Sequence, residues 1–186
     1  MVDGGELIAL ALESAAAHAA VLDTSKIQFH QDFREACEKN LCKKYGSNWM
    51  GPPAIGPIRI LMRRAALYRQ GLLLQTLHPV TNNFDMKGML QGAKIHAIVF
   101  RDLLEKIRRR YPREDMLPLS AGCCSICERC GYLDGEPCRH PNQAVSSVEA
   151  YGMNVIALQK SAAIPYYHGE NKICYVGLVL FNKDGG

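Results

Sequence analysis

The sequence lacks most of the features that would reveal a function directly. It contains one Trp, and no apolar run reaches the ~20 residues that a helix needs to cross a bilayer. It has no G-x-G-x-x-G, no P-loop, no G-x-S-x-G and no H-E-x-x-H, so nucleotide binding and hydrolase chemistry have no positive support. The net charge of +4 is modest, and no nucleic-acid-binding motif accompanies it. We therefore expect neither a membrane nor a nucleic acid as a partner.

The first residues also lack the basic region of an export signal. Asp3, Glu6 and Glu13 interrupt the small and apolar residues near the start, which favours an ordinary first helix and a cytoplasmic location. The length of 186 residues and the hydrophobic fraction of 48% are typical of one hydrophobic core. We therefore expect a single domain over residues 1–186.

Cysteine, in contrast, is abundant, and four of the eight cysteines follow one another closely. Cys124, Cys127, Cys130 and Cys138 read as C-x2-C-x2-C-x7-C. Thiolates at such spacing bind soft metals, and this spacing favours one [4Fe–4S] cluster as the cofactor. Structural zinc more often uses separated C-x2-C pairs or adds histidines. Zinc is therefore the alternative, and redox thiols without metal are a third interpretation.

The redox environment follows from the same residues. Without an export signal, four clustered cysteines indicate metal binding more than disulfide bonds. A cluster assembled from reduced thiolates implies a reducing compartment and is consistent with anaerobic metabolism. Beside the fourth cysteine, Arg139 and His140 have two interpretations. They either place positive charge near the metal, or pair with a carboxylate and cap the loop.

A second group consists of Cys37 and Cys42, spaced as C-x4-C. Two thiolates do not make a cluster site, so this pair is either part of a metal site completed from elsewhere or two packed side chains. The side chains available to complete it are Cys123, Cys174, His30 and His168. His78 and His96 have no partner at metal-ligand spacing, and we do not interpret them as ligands.

Hydrophobic periodicity predicts alternating helices and strands. The helices are expected at residues 6–17, 31–39, 57–70, 84–110 and 146–161, and the strands at 18–27, 72–80, 115–122 and 172–181, the last of them central. This order indicates an α/β (α+β) fold with a single sheet of about three to five strands and packed helices. The cysteine-rich loops, residues 37–57 and 120–145, are expected at one edge of the sheet.

Two details of the helices are specific enough to test. In the helix at 84–110, apolar residues recur at three- and four-residue steps and predict one stripe that faces the core. The stripe comprises Met86, Met89, Leu90, Ala93, Ala97, Phe100, Leu104 and Ile107. In the next helix, Ser146 and Glu149 have the spacing of a capping box.

Two segments resemble the patterns of a known family. They are FREACEKNLCKKYGSNWMGPP, and LSAGCCSICERC followed by PCRHPNQAVSSVEAYGMNV. Together they are similar to a family of prokaryotic proteins of unknown function, labelled predicted metal-binding and common in strict anaerobes and methanogenic archaea. The resemblance implies a cytosolic iron–sulfur protein and implies no reaction.

One residue departs from the family pattern. Gly51 stands where the resemblance implies a cysteine before Pro52 and Pro53. A three-cysteine site would then be reduced to Cys37 and Cys42, so a second cluster is not expected unless another residue completes it.

The functional expectation follows from the number of thiolates. Four thiolates leave no iron of a cubane open, which favours electron transfer, either to a redox protein partner or within a larger enzyme complex of anaerobic metabolism. The alternative is an enzyme in which a cluster with one open iron binds a sulfur- or oxygen-containing substrate, with Cys37 and Cys42 as two of its ligands. A structural zinc module is the remaining candidate.

Overall fold

A computed structural model describes residues 1–182 of the chain. The helices are α1 (Gly4–Glu13), α2 (Asp32–Glu38), α3 (Ile58–Ala65), α4 (Met86–Arg110) and α5 (Val155–Ser161). The strands are β1 (His18–Asp23), β2 (Gln70–Pro79), β3 (Met116–Ser120), β4 (Ser146–Ser147) and β5 (Lys172–Phe181). The mixed α/β (α+β) prediction is confirmed. Within the same residues, no helix is long and apolar enough to span a bilayer.

The strands form one sheet in the order β1-β2-β5-β3-β4. The long pairing of β2 with β5 is antiparallel, as are β1 with β2 and β3 with β5, whereas β3 and β4 are parallel. β5 is the central strand of this order, and its last six residues, 176–181, are therefore buried. This confirms the prediction of a central strand from the β-branched and apolar run at the end of the chain.

Helices cover both faces of the sheet. Successive side chains of a strand point to opposite faces, so Leu72 and Leu74 pack with Phe100 of α4 and Leu7 of α1. Leu73, between them, packs on the other face with residues of α3, α5 and the segment that joins β4 to α5. The result is a three-layer arrangement with the sheet in the middle.

The predicted stripe of α4 reaches the core along only half of its length. Phe100, Leu104 and Ile107 are buried, as expected. Met86 and Leu90, however, are 64% and 61% exposed, so the prediction for them is wrong. On the N-terminal side of Phe100, the buried residues of α4 are His96 and Gly92. The apolar residues beside them line a cavity described below.

The predicted helix over residues 146–161 is also corrected. Ser146 and Ser147 form β4 and pair with the end of β3, so they do not cap a helix. A 3-10 turn, Glu149–Tyr151, follows and ends at Gly152, whose φ of +77° breaks any helical continuation. Helix α5 begins only after Asn154, whose Oδ1 accepts a hydrogen bond from the Ala157 amide at 3.0 Å.

Candidate metal centre

The segment between β3 and β4 carries the four clustered cysteines. Parallel neighbouring strands need a crossover of a dozen or more residues, which is usually a helix. Here residues 121–145 make the crossover with one short 3-10 helix, Gly131–Asp134, and otherwise with turns and bends. The cysteine-rich crossover therefore leaves the sheet at the end of β3, beside its β4 edge.

All four cysteines of the C-x2-C-x2-C-x7-C pattern line one cavity. The thiols of Cys124, Cys127, Cys130 and Cys138 are half-buried. Burial raises the pKa of the Cys124 thiol, and the other three thiols raise it further. No Asp or Glu lines the cavity. A donor set of sulfur atoms without carboxylates suits a soft metal and excludes neither iron nor zinc.

Gly131 allows the chain to bring Cys138 back beside Cys130. The Gly131 carbonyl accepts a hydrogen bond from the Glu136 amide at 2.8 Å, which closes the loop. A side chain at position 131 would place its Cβ 2.8 Å from the Pro137 carbonyl oxygen, closer than such atoms approach. Only glycine fits this turn, so the seven-residue gap before Cys138 is a closed loop of fixed shape.

Two ion pairs support the loop from outside. Arg129 donates to both carboxylate oxygens of Asp134, with Nη2 2.7 Å from Oδ1. Arg139 donates to Glu136 at 2.7 Å and to the Arg129 carbonyl at 2.9 Å. Glu136 first, and the Cys127 thiol in addition, raise the pKa of Arg139. Arg139 therefore pairs with a carboxylate, Glu136, and also places its positive charge beside a candidate metal ligand, Cys127. The two roles expected as alternatives for this residue are thus compatible.

The N-terminal cysteine-rich loop covers the same cavity, although not with its cysteines. Asn48, Trp49 and Met50 line the cavity together with His140. The Trp49 indole N–H donates to the Glu136 carbonyl at 2.9 Å, and its ring meets the ring of Tyr132 edge-on at 5.0 Å. The contacts of this loop with the cavity come from Asn48, Trp49 and Met50 and not from the C-x4-C pair. A lone Trp among turn residues was the available signal.

Cys37 and Cys42 lie outside this cavity. Cys37 is on α2 and Cys42 is exposed in the turns that follow. Burial raises the pKa of Cys37, while the nearby Arg34 lowers it. Among residues 1–182, no three His, Cys, Asp or Glu side chains lie close enough to hold a single metal ion. The pair is therefore not joined by a third donor.

The other side chains considered for that pair have different partners. The Cys174 thiol donates to the Tyr166 carbonyl at 3.5 Å and accepts from Gln159 Nε2 at 3.8 Å. His168 lies 2.9 Å from the Pro165 carbonyl and stacks on His18. Cys123 lines a neighbouring cavity and not the one between the four thiols.

The fold and the four-thiol cavity define an α+β protein with a cysteine-lined centre suited to a soft metal. The chain belongs to the family described as "Predicted metal-binding protein (DUF2284)", whose model matches residues 20–181. The resemblance inferred from the sequence is thereby confirmed, and metal binding is the function that the family description supports. No curated protein and no solved structure matches the chain.

Proposed function

We propose that the protein binds one [4Fe–4S] cluster through Cys124, Cys127, Cys130 and Cys138 and acts in electron transfer, alone or within a larger redox complex. The observation that carries this proposal is the convergence of four half-buried thiols on one cavity without a carboxylate. When bound, such a cluster supplies one-electron chemistry. The residues around it hold the ligands in place and set the local charge.

The spacing of the thiols in the sequence supports a cluster over a single zinc ion. Structural zinc more often uses separated C-x2-C pairs or adds histidines, whereas Cys124, Cys127 and Cys130 follow one another at two-residue gaps and Cys138 follows after seven residues. In a cubane each thiolate binds a different iron, which suits such consecutive steps. The cavity is narrow, about 20 Å³, so we expect the crossover to widen when a cluster binds.

Electron transfer is favoured over substrate binding at the metal because the donor set is complete. Four thiolates occupy one position on each iron and leave none for a substrate. The thiols also lie near the surface, since Glu128, Arg129 and Pro137 beside them are exposed. A redox protein partner can therefore approach the centre closely. The free thiols are consistent with a reducing, cytoplasmic location.

Anaerobic purification with iron, sulfide and zinc analysis tests this proposal. We expect a brown protein with about four irons and four sulfides per chain, and a paramagnetic resonance signal after reduction. A colourless protein with one zinc per chain would replace the proposal with a structural zinc module. About eight irons would restore a second cluster near Cys37 and Cys42.

A further inference from the structure

A second, larger cavity lies beside the thiol centre. It measures about 310 Å³ and separates the N-terminal half of α4 from the chain that follows β3. Cys124 and Ile126 line both this cavity and the one between the four thiols. Small-molecule sites have volumes of about 300–1,000 Å³, so this cavity is large enough for a small organic molecule and adjoins the centre.

One wall of the cavity is apolar. It is formed by Leu90, Ala93 and Ala97, three residues of the α4 stripe that do not reach the core. Val145 and Ile126 add to the apolar lining from the crossover. The middle of the predicted α4 stripe thus faces the cavity instead of the sheet, whereas Met86 at its start is 64% exposed and lies outside the lining. An apolar ligand body would bury this surface.

The charged residues of the cavity all have the same sign. Lys44, Lys94 and Arg101 line it, and no Asp or Glu does. None of these three cations forms an ion pair with another residue of the described chain, 1–182. Three unpaired cations around a partly apolar space create a positive potential that attracts an anion.

Ser120 places a hydroxyl in the lining at the end of β3. Its Oγ lies 3.2 Å from Nε2 of His96, and Nδ1 of His96 lies 2.9 Å from Oγ1 of Thr76. Oγ1 of Thr76 in turn lies 2.8 Å from Nε2 of His78. All four side chains are buried. The chain of hydrogen bonds links β2, α4 and β3 and fixes the Ser120 hydroxyl.

The hydrogen-bond chain can leave the Ser120 proton available to a ligand. Burial, first, and then His78 lower the pKa of His96 to about 4, so its ring is neutral near pH 7. With the proton on Nε2, His96 donates to Ser120 and accepts from Thr76, which accepts from His78. Ser120 is then free to donate its own proton into the cavity. Neither histidine has a partner at metal-ligand spacing in the sequence, and their role in this hydrogen-bond chain becomes visible only in the fold.

We propose that this cavity binds a small organic anion with an apolar body, held by Lys94 and Arg101 and by a hydrogen bond from Ser120. The ligand would lie against α4 and beside Cys124. This binding function goes beyond electron transfer, and it depends on residues that are not proposed as metal ligands.

Benzoate and benzamide provide a direct test because they have the same shape and differ in charge. Calorimetric titration of the full-length protein should show benzoate binding at least about tenfold more tightly, a difference of about 1.4 kcal/mol. The double variant Lys94→Gln, Arg101→Gln should abolish the difference, whereas Lys87→Gln, on α4 but outside the cavity, should retain it. Ser120→Ala should weaken benzoate binding more than benzamide binding.

A substitution that fills the cavity with a larger side chain provides a second test of the proposal. Ala93→Trp should abolish binding of both compounds, and Ile98→Trp, at a position 60% exposed and outside the cavity, should not. Equal affinity for the two compounds, or binding that survives Ala93→Trp, overturns the proposal. So does the absence of binding by benzoate, hexanoate and phenylphosphate alike. Iron, sulfide and zinc analysis of each preparation tests the metal proposal separately, so the two proposals can fail independently.

Discussion

The Trp49 indole donates a hydrogen bond to the Glu136 carbonyl and joins the two cysteine-rich loops across 87 residues of sequence. Through this contact the N-terminal loop covers the thiol cavity, with Asn48 and Met50 in its lining. The loop that lacks a cysteine at position 51 therefore still belongs to the centre. Its contribution is packing and shielding of the thiols, which does not require a metal site of its own.

Removal of Trp49 should make the metal easier to extract. Trp49→Phe loses the N–H donor, a hydrogen bond worth about 0.5–1.5 kcal/mol, and keeps a ring against Tyr132. Trp49→Ala loses both contacts and should release metal faster still. The rate of colour development with a chelator measures the effect. Phe84→Ala, an aromatic position 89% exposed, is the control and should not alter the rate. Equal rates for all variants would exclude a shielding role.

Replacing the clustered cysteines should remove the metal, and replacing the N-terminal pair should not. Cys124→Ser and Cys130→Ser should lower metal content to less than about half, because three thiolates hold a four-iron cluster poorly. Cys42→Ser, at an exposed thiol outside the cavity, should retain the metal content. Metal and sulfide analysis under anaerobic conditions measures this. A loss of metal from Cys42→Ser as large as that from Cys124→Ser would contradict the assignment.

Arg139 should raise the reduction potential of the centre. Its guanidinium lies against Cys127, and positive charge favours the more negative, reduced form of a cluster. Arg139→Gln should therefore lower the midpoint potential, on the order of tens of millivolts because the side chain is partly exposed. A redox titration followed by paramagnetic resonance measures it. Arg63→Gln, an exposed arginine of α3, should leave the potential unchanged.

The buried His96 should make the protein less stable as the pH falls. In the unfolded chain its pKa is near 6.5, and in the folded protein burial lowers it to about 4. Between these two pH values the unfolded state binds more protons than the folded state. The contribution of His96 to the free energy of unfolding is therefore fully present above about pH 6.5, and it falls by on the order of 3 kcal/mol by about pH 4. His78, whose pKa burial also lowers, adds to the same trend.

Denaturant unfolding at several pH values isolates the contribution of His96. His96→Gln keeps a polar side chain but cannot titrate, so its stability should fall less steeply between about pH 6.5 and pH 4. The comparison is made as a difference between proteins, so that loss of metal at low pH affects both alike. His168→Gln changes a histidine outside the hydrogen-bond chain and serves as control. The same slope for His96→Gln and the native protein would refute the prediction.

Gly177 should not tolerate a side chain. A Cβ at this position of β5 would lie 2.5 Å from ring atoms of Phe100, a side chain that is only 1% exposed. Gly177→Ala should therefore destabilise the protein by about 1–3 kcal/mol. Combining it with Phe100→Leu should cost less than the sum of the two changes, because the shortened side chain removes the clash. Strict additivity in this double-mutant cycle would mean that the close approach is unimportant.

Four of the five strands could be predicted from the sequence because they carry strong local signals, whereas the two-residue β4 lies where a helix was expected. The run from Lys172 to Phe181 is β-branched and apolar, and it forms the central strand as expected. The four-cysteine pattern is equally local, since its members lie within one crossover. These features depend on neighbours in sequence, which a linear pattern records.

Long-range contacts account for what the sequence did not predict. The periodicity of α4 cannot distinguish an apolar face that meets a sheet from one that lines a cavity, so it predicts a core position for Leu90, which instead lines the cavity. Thr76 and His78 lie two residues apart on β2, so their side chains share one face of the strand. Only the fold brings His96 and Ser120 next to them. Trp49 reaches Glu136 for the same reason. In each case the partner lies on another element and leaves no local pattern.

The crossover between β3 and β4 has a consequence for protein turnover. β4 is two residues long, whereas β3 is held independently by four pairs with β5. The crossover has few buried residues of its own, so its order would depend on what the thiols bind. We expect a metal-free molecule to open to proteases within residues 121–145 while β1, β2, β5 and β3 stay together. A single cut within this segment would therefore distinguish metal-free molecules from those that hold metal.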